Sequence, residues 1–258
     1  MSRIFFKQKD RVSMKNHKKE SFRSKTQYYM YGQHAVLAAA RNNNRTVKQI
    51  YCLQKQLTEL QEKLPHSKIE VVQNDFITKK IGKDQVVHQG VMALVESIFK
   101  NKIEDLDFTD SKDRVVILDQ VTDPQNIGAI IRSAAAFGIN KLILPSDNAP
   151  DENAVIAKAA CGCLELMQVV KVTNIKNTIE KLKKMNFWIV GLDVEGKDSM
   201  NSVSEIDKLA IIIGSEGKGM RRLTSTHCDF LIKIPISEQV ESLNASNAAS
   251  IIFYLLKI

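Results

Sequence analysis

Short, continuously apolar runs recur through the second half of the chain, at 115–119 (VVILD), 141–144, 167–172, 187–191, 209–213 and 230–234, and most are separated by stretches with helical spacing. Runs of this length, rich in β-branched residues, read as buried strands. Their alternation with helices predicts a mostly parallel sheet covered on both faces, an α/β architecture. Upstream, the pattern predicts a smaller α/β domain: helix 32–40, strand 47–53, helix 55–64, strand 68–72, a short helix at 75–81 and strand 90–97. The segment between the two, IFKNKIEDLDFTDSKD at 98–113, is polar, lacks a core face and reads as a linker. The chain thus divides into a tail at 1–27, a small domain at 28–97, a linker at 98–113 and a larger domain at 114–258.

One stretch of the larger domain carries an arginine on a helix otherwise built from small and aliphatic residues: VTDPQNIGAIIRSAAAFG, 121–138. It lies between two predicted strands, so it is read as the helix of a βαβ unit. Asn126 is placed to cap it after the turn residues Asp123 and Pro124, and Gly138 stands where a left-handed C-terminal cap belongs. Arg132 then sits mid-helix on one face with Gly128, Ala135 and Ala136, where small side chains leave room for a ligand beside the guanidinium. Its planar fork suits a phosphate or a developing alkoxide.

In parallel sheets ligands bind beyond the carboxyl ends of strands, and two more such loops stand out. GSEGKGM, 214–220, follows a strand, and its glycines permit close backbone approach or positive φ. It is not a P-loop, because Met220 and not lysine follows Gly219, and the G-x-G-x-x-G dinucleotide pattern is absent. The last loop leads into ESLNASNAASIIFYLL, where Ser242 is positioned to cap a terminal helix that is apolar nearly all round and is expected to be buried, within the domain or against another subunit.

Charge and cysteine content change the picture only at the edges. The chain has a net charge of +8, and the first 25 residues alone hold nine Lys and Arg against two acids, leaving the remainder near +1. That segment reads as a disordered basic arm able to track phosphates; a solubility tail and an organelle transit peptide are the alternatives. No apolar run reaches membrane-spanning length, and no signal peptide is evident, which predicts a cytoplasmic protein. Cys52, Cys161, Cys163 and Cys228 lack zinc spacing and are expected to be free thiols, with no metal. His88 and His227 have no recognisable catalytic partner.

The three ordered motifs, N-x-G-x-x-x-R at 126–132, G-S-E-G-x-G-M at 214–220 and S-L-N-A-S at 242–246, resemble those of the SpoU (TrmH) family of RNA ribose 2′-O-methyltransferases within the SPOUT group. The resemblance covers about residues 30–258. YGQHAVLAAA at 31–40 and VHQGVMAL at 87–94 are similar to that family's N-terminal RNA substrate-binding domain, in the branch acting on a guanosine of 23S rRNA.

The resemblance implies an α/β parallel-sheet SPOUT domain with a C-terminal trefoil knot, S-adenosylmethionine as methyl donor, no metal, and a homodimer formed through the terminal helix. By the same resemblance Asn126, Arg132, Glu216, Ser242 and Asn244 make the catalytic set, with backbone around Gly214, Ile234 and Leu243 holding the cofactor. A guanidinium is too weak an acid to serve as a base, so Arg132 is expected to orient and to stabilise charge. The substrate expected is 23S rRNA, with tRNA as the alternative, and a non-catalytic RNA-binding protein is the reading from another class. The sequence departs from the family at KAACGCLE, 158–165, where relatives carry small residues in place of the cysteines.

Overall fold

A computed structural model describes residues 26–82 and 87–256; the basic arm lies outside them. The first module orders its elements as β1 (Gln27–Tyr31), α1 (Gln33–Arg41), β2 (Val47–Cys52), α2 (Leu57–Lys63), β3 (Ile69–Val71), α3 (Asn74–Ile81) and β4 (Val91–Glu96). They form a mixed four-stranded sheet, β1-β4-β2-β3, in which only β2 and β3 run parallel.

The second module runs β5 (Asp113–Asp119), α4 (Pro124–Ala136), β6 (Lys141–Pro145), α5 (Ala154–Ala160), β7 (Gln168–Val172), α6 (Ile175–Lys184), β8 (Trp188–Leu192), β9 (Lys208–Gly214), α7 (Arg222–Ser225), β10 (Phe230–Ile232) and α8 (Ala245–Leu255). Its six strands are all parallel, in the order β10-β8-β9-β5-β6-β7. Successive residues of the central strands feed opposite cores: Val116 and Leu118 face α4, α5 and α8, while Val115 and Ile117 join Ile175, Ile179 and Leu182 of α6. Burial on both faces is why these strands read as unbroken apolar runs rather than alternating ones.

Four local expectations are corrected. Helix α4 begins at Pro124, not after Asn126: Asp123 caps it by accepting from the Gln125 N–H, and proline occupies the first turn, where a missing N–H costs nothing. Helix α8 is capped by Asn244, not Ser242. The segment 98–113 is not a coreless linker, since Ile103 and Leu106 are buried against the sheet and Lys100 forms a parallel bridge with Val170. Strand β1 was not foreseen at all.

The small residues of α4 have a packing explanation. A Cβ on Gly128 would stand 2.5 Å from the Cβ of Ala159 and 2.6 Å from the Ile156 carbonyl oxygen, so glycine lets α4 and α5 approach closely instead of clearing space for a ligand. On its other side α4 meets α8, where the Ser133 and Ser250 hydroxyls share a hydrogen bond of 2.8 Å and Phe137 packs edge-on against Tyr254.

The two modules share one hydrophobic cluster, which joins Met30, Val36 and Ile50 to Leu118, Leu142 and Ile156. A buried ionic clasp reinforces the junction. Arg45, between α1 and β2, hydrogen-bonds Glu152 and Glu165 of the second module, and all three side chains are sealed from solvent or nearly so. Glu152 also accepts from the Tyr28 hydroxyl, the Ser97 hydroxyl and the Ile98 N–H. Burial pulls the Arg45 guanidinium toward neutrality, but its bonds to Glu165 and the charge of Glu152 outweigh that and hold its pKa above the ordinary value. Burial, followed by the Glu152 charge, pushes the Tyr28 phenol well above its ordinary value, keeping it a donor.

Candidate active site

The carboxyl ends of β10, β8 and β9 open into a cavity of about 320 Å³, closed over by residues 232–243 and by the loop after β9. Its walls are largely aliphatic, from Leu192, Ile213, Ile232, Ile236, Val240 and Leu243, and Gly214 and Ile234 also line it. At the rim four carboxylates, Asp193, Glu216, Glu238 and Glu241, outnumber Lys218 and Lys233. An apolar slot with an acidic rim suits a ligand with a flat apolar body and a positive charge, and disfavours a nucleotide phosphate. A purine nucleoside carrying a sulfonium and an ammonium fits this chemistry.

The loop 214–220 is closed on itself. Ser215 and Gly219 exchange backbone hydrogen bonds of 3.1 and 2.9 Å, and Gly217 and Gly219 adopt φ of +78° and +65°. Gly214 is needed for a different reason, because a Cβ there would lie 2.2 Å from the Gly219 backbone. The buried carboxylate of Asp119, at the end of β5, anchors the far side by accepting from the Arg221 backbone N–H at 2.9 Å and from its Nε at 2.7 Å. Sequence reasoning missed this pair; its only signal is an acid ending an apolar strand.

Asn244 brings the three motifs together. Its Oδ1 accepts from the Ser246 N–H and hydroxyl, which fixes the amide's orientation. The Nδ2 therefore faces the loops, donating to Asn126 Oδ1 and to Glu216 Oε2, both at 3.1 Å. Asn126 and Asn244 in turn line a second, broader groove of about 660 Å³ between the modules, with Tyr31, Asp123, Gln125 and Lys158. The cavity and the groove thus meet at one side-chain amide. Ser242 lines the cavity and not the helix cap.

Arg132 is not brought into this cluster. It is exposed on α4, lines neither the cavity nor the groove, and lies close enough to Cys163 to favour its thiolate against the larger effect of burial, which raises that thiol's pKa. The four cysteines are free, and among the described residues no cluster of His, Cys, Asp and Glu could hold a metal ion. No described helix is long and apolar enough to cross a membrane.

Residues 113–254 match the model of the SpoU rRNA methylase family, and residues 29–99 match that of the RNA 2′-O ribose methyltransferase substrate-binding domain. The chain belongs to the SpoU family. It is 36% identical over 234 residues to the 23S rRNA (guanosine-2′-O-)-methyltransferase RlmB of Escherichia coli (strain K12), covering 87% of this chain and 96% of that protein. The RlmB of Neisseria meningitidis serogroup B is 34% identical over 230 residues, covering 86% and 92%. Among solved structures, the SpoU methyltransferase AviRb from Streptomyces viridochromogenes in complex with AdoMet superposes with a TM-score of 0.75 at 21% identity, covering 89% of each chain, which supports the fold. As a SpoU protein with its substrate-binding domain, the chain is an RNA-binding methyltransferase with the expected α/β architecture, and the two motif loops and the terminal-helix cap meet as one site.

Proposed function

We propose that this protein transfers a methyl group from S-adenosylmethionine to the ribose 2′-hydroxyl of a guanosine in 23S rRNA. The observation that carries the reading is the Asn244 amide, which ties Glu216 at the acidic cavity to Asn126 at the inter-module groove. The cavity is the cofactor site, with backbone at Gly214, Ile234 and Leu243 holding the nucleoside and the rim acids facing its positive charge. When bound, the cofactor supplies an electrophilic methyl carbon. The groove receives the acceptor nucleotide, so that hydroxyl and methyl meet where Asn126, Glu216 and Asn244 converge; holding them in line is the main catalytic contribution. Ser242, on the cavity wall, helps to fix the cofactor edge of the site.

Arg132 orients RNA phosphate or stabilises charge from the outer face of α4, and its exposure leaves it free to do so across an interface. The protein works as a homodimer in the cytoplasm. Ile251, Tyr254 and Leu255 of α8 are 37%, 56% and 50% exposed, an apolar strip beside Arg132's helix that a second subunit would cover. The same terminal segment forms the trefoil knot.

Nucleoside mass spectrometry of rRNA and tRNA from a strain lacking this protein tests the substrate. Loss of one 2′-O-methylguanosine from large-subunit rRNA, with tRNA unchanged, is expected; the opposite pattern overturns the substrate but not the reaction. Arg132→Ala should abolish methyl transfer while cofactor affinity by calorimetry stays within a few fold, and retained turnover would remove Arg132 from the site.

A further inference from the structure

The accessory-domain motifs YG and HQG, which the methyl-transfer chemistry leaves unused, converge on one lysine of the second module. Lys158, on α5, reaches across the junction and donates to Gln89 Oε1 at 2.8 Å. That oxygen also accepts from the Gln33 N–H at 3.2 Å, so the Gln89 side chain is held from both modules. Space for the lysine comes from Gly32, where a Cβ would stand 2.8 Å from Nζ and 2.9 Å from Cδ. Gly32 tolerates its φ of +95° because it has no Cβ, whereas Gln89 adopts a left-handed φ of +57° that is uncommon for a residue with a side chain.

This lysine lines the same groove as Asn126 and Asn244, and among the described residues no carboxylate pairs with it. Burial holds its pKa below the ordinary lysine value. His88, beside Gln89, is held below its ordinary value first by burial and then by the charges of Lys158 and Lys55. The acid on the groove, Asp123, has one carboxylate oxygen engaged by the α4 cap. A partly desolvated cation held by a neutral amide keeps donor capacity for an anion.

We propose that Lys158, positioned by Gln89, binds a backbone phosphate of the RNA beside the nucleotide seated in the groove. Both modules then read the substrate through a single contact: the accessory domain sets where the lysine points, and the methyltransferase domain supplies the charge. The proposal rests on the groove being the acceptor site.

Filter binding and methyl-transfer kinetics on a 23S rRNA transcript, over a series of KCl concentrations, compare the full-length protein with Lys158→Met, Lys158→Arg and Gln89→Ala. Loss of one charge-assisted contact should weaken RNA binding about tenfold in Lys158→Met. The log-log salt slope should fall by about 0.7–0.9, the signature of one phosphate. The rise in KM should exceed the fall in kcat, Lys158→Arg should restore most of the slope, and Gln89→Ala should fall between. A lysine of purely structural importance would shift the melting temperature and leave the salt slope alone, and an unchanged slope overturns the proposal. Should wild type bind the transcript without methylating it, the substrate reading fails while the slope still decides the phosphate site. Should it fail to bind, the same slopes measured on tRNA decide it.

Discussion

The Arg45 clasp and the Lys158 contact both cross the junction between the modules, and they differ in kind. At the Arg45 clasp a buried guanidinium meets two carboxylates, whose remaining lone pairs are taken by Tyr28, Ser97, Ile98 and Asn42. At the groove wall, Lys158 meets a single neutral amide oxygen. A charge taken out of water is tolerable when its partners are complete, and a completed network has nothing left with which to bind. Conversely, a cation left without a counter-charge beside a groove has its remaining capacity directed outward. The first contact fixes the geometry of the modules and the second uses it.

The largest effect should come from breaking the clasp. Arg45→Ala strands two buried carboxylates and is expected to lower the unfolding free energy by about 3–5 kcal/mol in urea titrations; a loss under about 1 kcal/mol would mean that the clasp is not architectural. Gly32→Ala combines unfavourable positive φ with a clash against Lys158, for an expected cost of about 1–3 kcal/mol, read as a lower melting temperature. Lys158→Met should change stability by no more than about 0.5 kcal/mol, as for a surface substitution. A large loss there would make the two contacts alike.

The smallest effect concerns protons. Because His88 is held below its ordinary value, near about 6.5, the unfolded chain takes up the proton first as pH falls. Stability should therefore decline on acidification through that value, and His88→Gln should flatten the decline, measured as denaturant midpoints between about pH 7 and about pH 5.5. An identical pH profile in the variant would show that burial and the neighbouring lysine charges exert no such pressure on the ring.

Strands of the larger sheet were legible because burial on both faces demands continuous apolar runs, whereas β1 was not. QYYMY carries no alternation, follows a charged arm, and owes its conformation to pairing with β4. Ile103 and Leu106 were hidden because they stand singly among polar residues, and the bridge of Lys100 to Val170 that holds the same segment is a backbone contact with no side-chain signature. The helix starts were misplaced by choosing among neighbouring cap formers: Pro124 favours the first turn, which already selects Asp123 over Asn126. The site motifs were visible as three loops, but the amide that joins them was not, since Asn126, Glu216 and Asn244 meet only through the sheet order. Arg45 sits in RNNNRTVK and reads as a solvated loop residue. Its partners, Glu152 and Glu165, lie more than a hundred residues away, beyond any local pattern.

The fixed orientation of Asn244 also bears on how the protein ages. Hydrolysis of that side-chain amide to a carboxylate would preserve the helix cap, because an oxygen would still accept from Ser246. It would nevertheless replace the donor shared by Asn126 and Glu216 with a second acid facing the first. The gain of a single dalton would leave the molecule folded and its melting curve nearly intact while prising apart the seam between its two cavities, so that loss of activity in stored protein would precede any loss of structure.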